Sequence, residues 1–287
     1  LTLLRDRLKE IALERDLRGL VILATEGVNG TVSGEKQGLD ILLNAIVAAF
    51  HVEDLCLKYG SAPEHAFRRF SVKIRPEIVT SRVDGLGDDS RKALQYLEPD
   101  EWELRLRSSD DFILLDTRNN YETQLGSFRD ATKLDLVNFQ HFAEAVSQAQ
   151  IPKEKPLLVF CTGGIRCEKA VPQLEALGYK NIFQLKGGIL RYLERYPNSN
   201  FEGECFVFDN RVAVDQQLAP SQRYSLCPHC GDPAERPITC RRCGRSARLC
   251  DPCLAKSVRD ACSSNCANQL SQQLARQQAR QRHEVTA

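Results

Sequence analysis

Residues 157–169 constrain the fold more tightly than any other stretch of the chain. Leu157-Leu158-Val159-Phe160 is an apolar run of strand length that ends in Cys161. Thr162-Gly163-Gly164-Ile165-Arg166 then leads into Cys167-Glu168-Lys169, residues of good helix propensity. Two adjacent glycines let such a loop curl until its backbone N–H groups converge on the cysteine sulfur. The helix that follows adds its positive N-terminal end. With Arg166 nearby, both effects favour thiolate over thiol, so the segment describes an activated cysteine. A structural cysteine packed at a strand end is the competing reading, since free Cys behaves as a small hydrophobe. Two glycines and an arginine within five residues of it are poor packing material.

At 287 residues the chain has room for two or three domains. A net charge of +1 argues against a polyanion-binding surface overall and leaves room for local basic patches. No apolar run reaches the length of a membrane span, and the start, Leu1-Thr2-Leu3-Leu4-Arg5-Asp6-Arg7, is charged rather than signal-like. Twelve cysteines would suit a disulfide scaffold, but eight of them lie in closely spaced pairs in the last quarter. That placement predicts metal ligands and a reducing, cytoplasmic setting. Neither membrane nor DNA is expected as a partner. The chain contains no Met, and a segment before Leu1 is expected.

Periodicity along the chain gives α/β and α+β multidomain architecture. Helical spacing of Leu4, Leu8, Ile11 and Leu17 is followed by a buried-strand pattern at 19–24 and a turn at 26–30. A short return strand at 30–34, an amphipathic helix at 36–50 and an alternating stretch from Phe67 to Val79 complete the segment. This α-β-β-α-β order, with one more strand before Leu1, would make a ferredoxin-like βαββαβ sandwich over 1–80. Residues 81–104 are polar and read as a linker with some helix around Arg91–Leu97. Over 105–197 strands and helices alternate, which predicts a parallel sheet with its catalytic loops at the carboxyl ends of the strands. Cys161 and Asp116 both fall at such ends. Residues 198–225 read as connecting strands, with a pair at Phe206–Asp209 and Arg211–Val214. Residues 226–287 read as a cysteine-rich module with a polar tail, either helical or disordered.

The tail cysteines run Cys227-x2-Cys230-x9-Cys240-x2-Cys243-x6-Cys250-x2-Cys253-x8-Cys262-x3-Cys266. Eight thiolates in four knuckle-type pairs predict two structural zinc ions. The short gap between the second and third pairs favours interleaving: Cys227, Cys230, Cys250 and Cys253 on one ion, Cys240, Cys243, Cys262 and Cys266 on the other. Sequential pairing is the alternative. Between Arg223 and Arg282 there are eleven Lys or Arg against four acids. With Arg68, Arg69, Lys73 and Arg75, they are candidates for RNA phosphate contacts, against the plainer reading of solvated charged faces. Asp116 and Arg118 are read equally as a loop-holding ion pair or as participants in chemistry. Cys167 is either a resolving thiol or a core-facing helix residue. No 2-His-1-carboxylate pattern, flavin fingerprint or haem motif is present, so neither flavin nor haem is expected.

Several motifs in order make residues 105–197 resemble a rhodanese domain. They are Leu115-Asp116-Thr117-Arg118 with Tyr121-Glu122 and Gly126, the loop from Cys161 to Arg166, and Leu185-Lys186-Gly187-Gly188. In that family the loop cysteine carries sulfane sulfur as a persulfide, cradled by loop amides. The resemblance extends through Glu26-Gly27-Val28-Asn29-Gly30-Thr31-Val32, Val72-Lys73-Ile74-Arg75, Glu77-Ile78-Val79-Thr80 and Gly203-Glu204-Cys205-Phe206-Val207-Phe208-Asp209. Together these resemble the rhodanese-domain tRNA uridine hydroxylases of bacteria. The resemblance implies oxygen-dependent conversion of the wobble uridine of tRNA to 5-hydroxyuridine, with molecular oxygen as co-substrate. It casts Cys161 and Arg166 as the catalytic pair, and Asp116, Arg118, Thr162, Gly163, Gly164, Ile165 and Cys167 as site support. The alternative is a sulfurtransferase or persulfide carrier served by a sulfur donor. A non-catalytic zinc-linked adaptor would have no use for the loop cysteine and arginine.

Overall fold

The computed structural model describes residues 1–52, 55–62, 64–81, 94–256 and 260–285. They form two compact units, one spanning Leu1–Asp209 with Ala213–Pro220, the other Asn210–Val212 with Ser221 onward.

The first unit opens with α1 (Thr2–Glu14), β1 (Arg18–Ala24), β2 (Gly27–Ser33), α2 (Lys36–Phe50) and β3 (Phe70–Ile74), in the order the periodicity predicts. β1 lies in the centre, antiparallel to β2 and parallel to β3. Val21, Leu23 and Val72 turn one face to Leu8, Ile11, Leu42 and Ile46 of the two helices. The hairpin register pairs Ala24 with Gly27, which leaves Thr25 and Glu26 as a two-residue turn at its tip. The alternating stretch from Phe67 to Val79 condenses to five paired residues, Phe70–Ile74.

Five parallel strands follow, ordered β4-β9-β8-β5-β7: β4 (Gln95–Leu97), β5 (Ile113–Asp116), β7 (Thr132–Lys133), β8 (Leu157–Phe160) and β9 (Ile182–Leu185). β8 is apolar throughout because it is covered on both faces. Leu157 and Val159 pack with Leu115, Phe142, Val146, Val171 and Leu174. Leu158 and Phe160 pack on the other side with Leu114, Trp102, Ile189 and Tyr192. The helices are α3 (Pro99–Arg107), α4 (Asn120–Thr123), α5 (Phe142–Ala149), α6 (Cys167–Ala176) and α7 (Gly188–Arg195).

Two boundaries differ from the sequence reading. The helix expected around Arg91–Leu97 lies partly outside the described residues, and its described end, Gln95–Leu97, is instead the edge strand β4. A three-residue strand is too short to show alternation. Helix α3 follows at once, opened by Pro99 and by a capping box between Glu98 and Glu101. Residues 95–107, read as the end of the linker and the start of the domain, thus supply the edge strand of this sheet and a helix beside it. At the other end, residues 198–209 and 213–220 are part of the same unit. β10 (Phe201–Gly203) pairs with β6 (Gly126–Phe128), and β11 (Cys205–Phe206) with β12 (Ala213–Val214). Phe201, Cys205, Val207 and Val214 complete the second core. The expected pair 206–209 with 211–214 is thus shifted and shortened, and Phe208 falls beyond the ladder.

The second unit contains two small hairpins, β13 (Ser225–Leu226) with β14 (Pro233–Ala234) and β15 (Arg236–Thr239) with β16 (Ser246–Leu249). They are followed by the short α8 (Asp251–Leu254) and a long polar helix, α9 (Ser264–Val285). The tail is thus helical through Val285. No helix among the described residues is long and apolar enough to cross a membrane.

Candidate active site and cysteine clusters

Cys161 sits at the carboxyl end of β8, fully buried, and the loop after it folds back over the sulfur. The Gly164 N–H donates to Cys161 Sγ at 3.1 Å, with Gly164 at φ +94°, a conformation suited to glycine. Carbonyls are held the other way. Cys161 O accepts from Ile189 N–H at 3.0 Å and Thr162 O from Leu190 N–H at 3.1 Å, both in the first turn of α7. That docking requires Gly188: a Cβ there would lie 2.5 Å from Cys161 O and 2.7 Å from Gly164 N. The sequence motif Lys186-Gly187-Gly188 is therefore part of the loop's foundation. At Gly163, by contrast, a Cβ would meet nothing within 4 Å, so the loop opens to free space there.

Burial on its own would push the Cys161 thiol up. The Cys167 thiol donating to it, the charge of Arg166 and the N–H groups of Cys167 and Arg166 outweigh burial and hold it down to about 5. Cys167 moves the opposite way, pushed up by burial and by the hydrogen bond it gives Cys161. Its sulfur also lies 3.7 Å from Thr117 Oγ1, whose hydroxyl donates to Phe160 O at 2.9 Å. Cys205, the third buried cysteine of this unit, is pushed up to about 12 by burial. One of the three is therefore held as thiolate, and it is the one at the strand end.

Arg166 is gripped by Glu122. Its Nη2 donates to Oε1 at 2.6 Å, its Nη1 to Oε2, and Thr162 Oγ1 joins the cluster at 3.1 Å from Glu122 Oε1. This bidentate pairing fixes the guanidinium beside the sulfur. Glu122 was missed as a site residue by sequence reasoning. Its signal was local, the capping box Asn119-x-x-Glu122 at the start of α4, and its partner lies 44 residues downstream. Asp116 and Arg118 form a fully buried bidentate pair, Arg118 Nε to Asp116 Oδ1 at 2.9 Å and Nη2 to Oδ2 at 2.7 Å. Arg118 also donates to Gly126 O and Ser127 to Asp116, so the pair braces the floor beside β5. Ile165 lies in the loop, partly buried.

The first turn of α6 reaches the N-terminal sheet. Lys169 Nζ lies 2.5 Å from Glu26 Oε2 at the hairpin tip and 3.9 Å from Glu77, and Glu26 Oε1 accepts from Ile78 N–H at 2.6 Å. Arg68, Arg69, Lys73 and Arg75, on and beside β3, are all exposed, and none forms an ion pair among the described residues.

Replacing Arg166 by alanine removes the largest nearby positive charge. The thiolate of Cys161 is present above a pH of about 5, so the wild-type titration is flat through neutrality. Arg166→Ala is expected to move its midpoint up by about one to three units. The ultraviolet thiolate difference against the matching Cys161→Ser protein measures this. An unchanged midpoint removes Arg166 from the electrostatics of the sulfur.

In the second unit the eight tail sulfurs gather into two groups, Cys227 with Cys230, Cys250 and Cys253, and Cys240 with Cys243, Cys262 and Cys266. The grouping is interleaved, not sequential. Within each group the ligand atoms lie within 4.8 Å of one another. Sulfur separations of 3.4 Å (Cys230–Cys250), 3.5 Å (Cys243–Cys262) and 3.8 Å (Cys262–Cys266) match the edge of a tetrahedron with metal–sulfur bonds of about 2.3 Å. The first two pairs sit on matching turns: Gly231 N–H donates to Cys227 O and Gly244 N–H to Cys240 O, with both glycines at positive φ. His229 is occupied by Ala261 O, 2.9 Å from its Nε2. The donor sets are thus all sulfur, and both fit a tetrahedral thiophilic ion such as zinc.

A parallel sheet with an amide-lined cysteine loop at a strand's carboxyl end defines a rhodanese-like domain, and the family model of that description matches residues 98–195. Models described as a UPF0176 acylphosphatase-like domain and a rhodanese C-terminal region match residues 1–78 and 202–267. Proteins named tRNA uridine(34) hydroxylase align over most of the chain. The one from Bdellovibrio bacteriovorus is 41% identical over 264 residues, covering 91% of this chain and 75% of its own length. Those from Cytophaga hutchinsonii and Brucella anthropi are 37% and 42% identical, covering 88% and 80% of this chain and 80% and 75% of theirs. The chain belongs to the tRNA uridine(34) hydroxylase family.

Proposed function

We propose that this protein hydroxylates the wobble uridine of tRNA at C5, in the cytoplasm, with molecular oxygen as co-substrate. The observation that carries the reading is Cys161: in a member of this family, one sulfur is held as thiolate in a ring of backbone donors. A thiolate adds to C6 of a uracil ring, which raises electron density at C5 and makes that carbon nucleophilic towards oxygen. Loss of the C5 proton and departure of the sulfur restore the ring. One oxygen atom enters the base, and the other leaves as water with two electrons from a thiol-class reductant. Arg166, clamped by Glu122, keeps the sulfur anionic before attack and accepts it again as leaving group. The two cysteine clusters would each hold a structural zinc ion, whose role is to order the second unit.

Nucleoside mass spectrometry of tRNA from a deletion strain tests the reading, with complementation by wild type and by Cys161→Ser. Return of 5-hydroxyuridine with the wild type alone supports it. A tRNA profile indifferent to the gene, with sulfur transfer to cyanide by the purified protein, would favour the sulfurtransferase.

The exposed residues Arg68, Arg69, Lys73 and Arg75 are proposed as phosphate contacts. Reversing Arg68, Arg69 and Lys73 together should weaken tRNA binding and lower its salt slope by about three. Acidic substitutions at the exposed α2 residues Lys36, Gln37 and Asn44 should do much less. Equal losses from the two sets would make the patch ordinary solvated surface.

A further inference from the structure

An aromatic row stands beside the Glu122–Arg166 pair. The Tyr121 ring meets Phe206 edge-on at 5.2 Å, and Phe206 meets Phe208 edge-on at 5.0 Å. The Arg166 guanidinium lies against one face of Phe208, 5.6 Å from Cζ to the ring centroid. Phe206 and Val207 are buried, whereas Phe208 is 55% exposed. Its position just beyond the β11–β12 ladder is what leaves it there. A phenyl ring in water forgoes the stabilisation of burial. Here that ring lies over the arginine of the cysteine loop and still leaves more than half of its residue's surface to solvent.

The loop itself is lined by backbone donors and suits a small anion or a sulfur atom. Among the groups described in it, none presents a flat apolar surface to a nucleobase. Enzymes that act on a base take it out of its stack, and unstacked bases are held on aromatic faces. We propose that Phe208 is the stacking platform for the target pyrimidine of the RNA. The base lies on the solvent face of the ring, with Arg166 behind the opposite face, and its C5–C6 edge turns towards the opening at Gly163. This assignment rests on the hydroxylase reading and names the residue that selects and holds its substrate base.

The test uses the full-length protein with Phe208→Ala, Phe208→Leu and Phe208→Tyr. Formation of 5-hydroxyuridine is measured with kcat and KM separated. In parallel, affinity is measured for anticodon stem-loops carrying either uridine or an abasic site at the wobble position. The Ala and Leu variants should lose about ten- to a hundredfold in kcat/KM, the scale of one lost base–aromatic stack. Phe208→Tyr should stay near wild type, because its ring offers the same face. Wild type should prefer the uridine stem-loop, and Ala and Leu should bind both alike. The Cys161 thiolate titration should be unmoved throughout. Leu retains apolar bulk against Phe206, so a folding defect does not imitate this pattern. Wild-type kcat/KM in Phe208→Ala overturns the stacking role, as does Leu matching Tyr or a wild type indifferent to the abasic site. A wild type that leaves uridine unmodified while transferring sulfur to cyanide defeats the hydroxylase reading itself, before any Phe208 variant is compared.

Discussion

Cys161→Ser is expected to abolish 5-hydroxyuridine formation while leaving the fold and metal content of the protein unchanged. The substitution exchanges sulfur for oxygen in a fully buried position and keeps the side-chain shape. What changes is acidity. The surroundings that hold the thiol down to about 5 act on an alcohol too weak an acid to ionise near neutrality. No nucleophile for C6 of uracil then remains. Cys167 cannot substitute, since burial and its hydrogen bond to Cys161 keep it protonated, and its sulfur is turned towards Thr117. Loss of activity should therefore be complete, not partial, with far-ultraviolet circular dichroism and bound metal at wild-type values. Wild-type turnover in the serine protein would sink the central role of Cys161. Turnover recovered only with an added thiol would place the essential sulfur elsewhere.

The loop was legible in the sequence because its chemistry is written in consecutive residues. A strand end, two glycines, an arginine and a helix start fix where the donors point, and Gly188 could be read from its own motif. What could not be read was partnership across the chain. Glu122 is an ordinary N3 acid until Arg166 is brought to it by the crossing from β5 to β8. Lys169 is an ordinary helix lysine until the hairpin tip presents Glu26. Strand β4 has three residues, and its identity depends on β9 beside it. Residues 198–225 looked like a connection because Phe201 finds its partner in β6, more than seventy residues earlier. Phe208 was visible as one residue of a motif, but its exposure depends on where the β11–β12 ladder stops. The short six-residue gap favoured the interleaved cysteine grouping but left sequential pairing open, because only the fold brings Cys250 and Cys253 to Cys227 and Cys230.

Removal of metal is expected to unfold the second unit and spare the first. The buried cluster around the first sulfur group consists of Cys227, Ala234, Leu249, Cys250 and Cys253, and the one around the second of Cys240, Ala261 and Leu270. Four of these eight residues are candidate ligands, so half of what resembles a core is the metal site itself. The strands beside it are two to four residues long, and α9 is mostly polar, with Leu270 its one buried apolar side chain among the described residues. Structural zinc in small all-cysteine sites contributes about 10 kcal/mol or more, far beyond what so few apolar side chains supply. The rhodanese sheet, with its two apolar clusters, has no such dependence. Elemental analysis of protein purified without chelator should give two zinc ions per chain. Chelation should abolish protection from proteolysis beyond residue 221 and leave the fragment before it intact. Double substitutions then read the pairing. With the interleaved arrangement, Cys227→Ser with Cys250→Ser strikes one site and leaves one zinc, whereas Cys227→Ser with Cys240→Ser strikes both and leaves none. Sequential sites would reverse the two results. A wild-type ratio near zero, with all eight thiols freely titratable in the native protein, would remove the metal from the fold altogether.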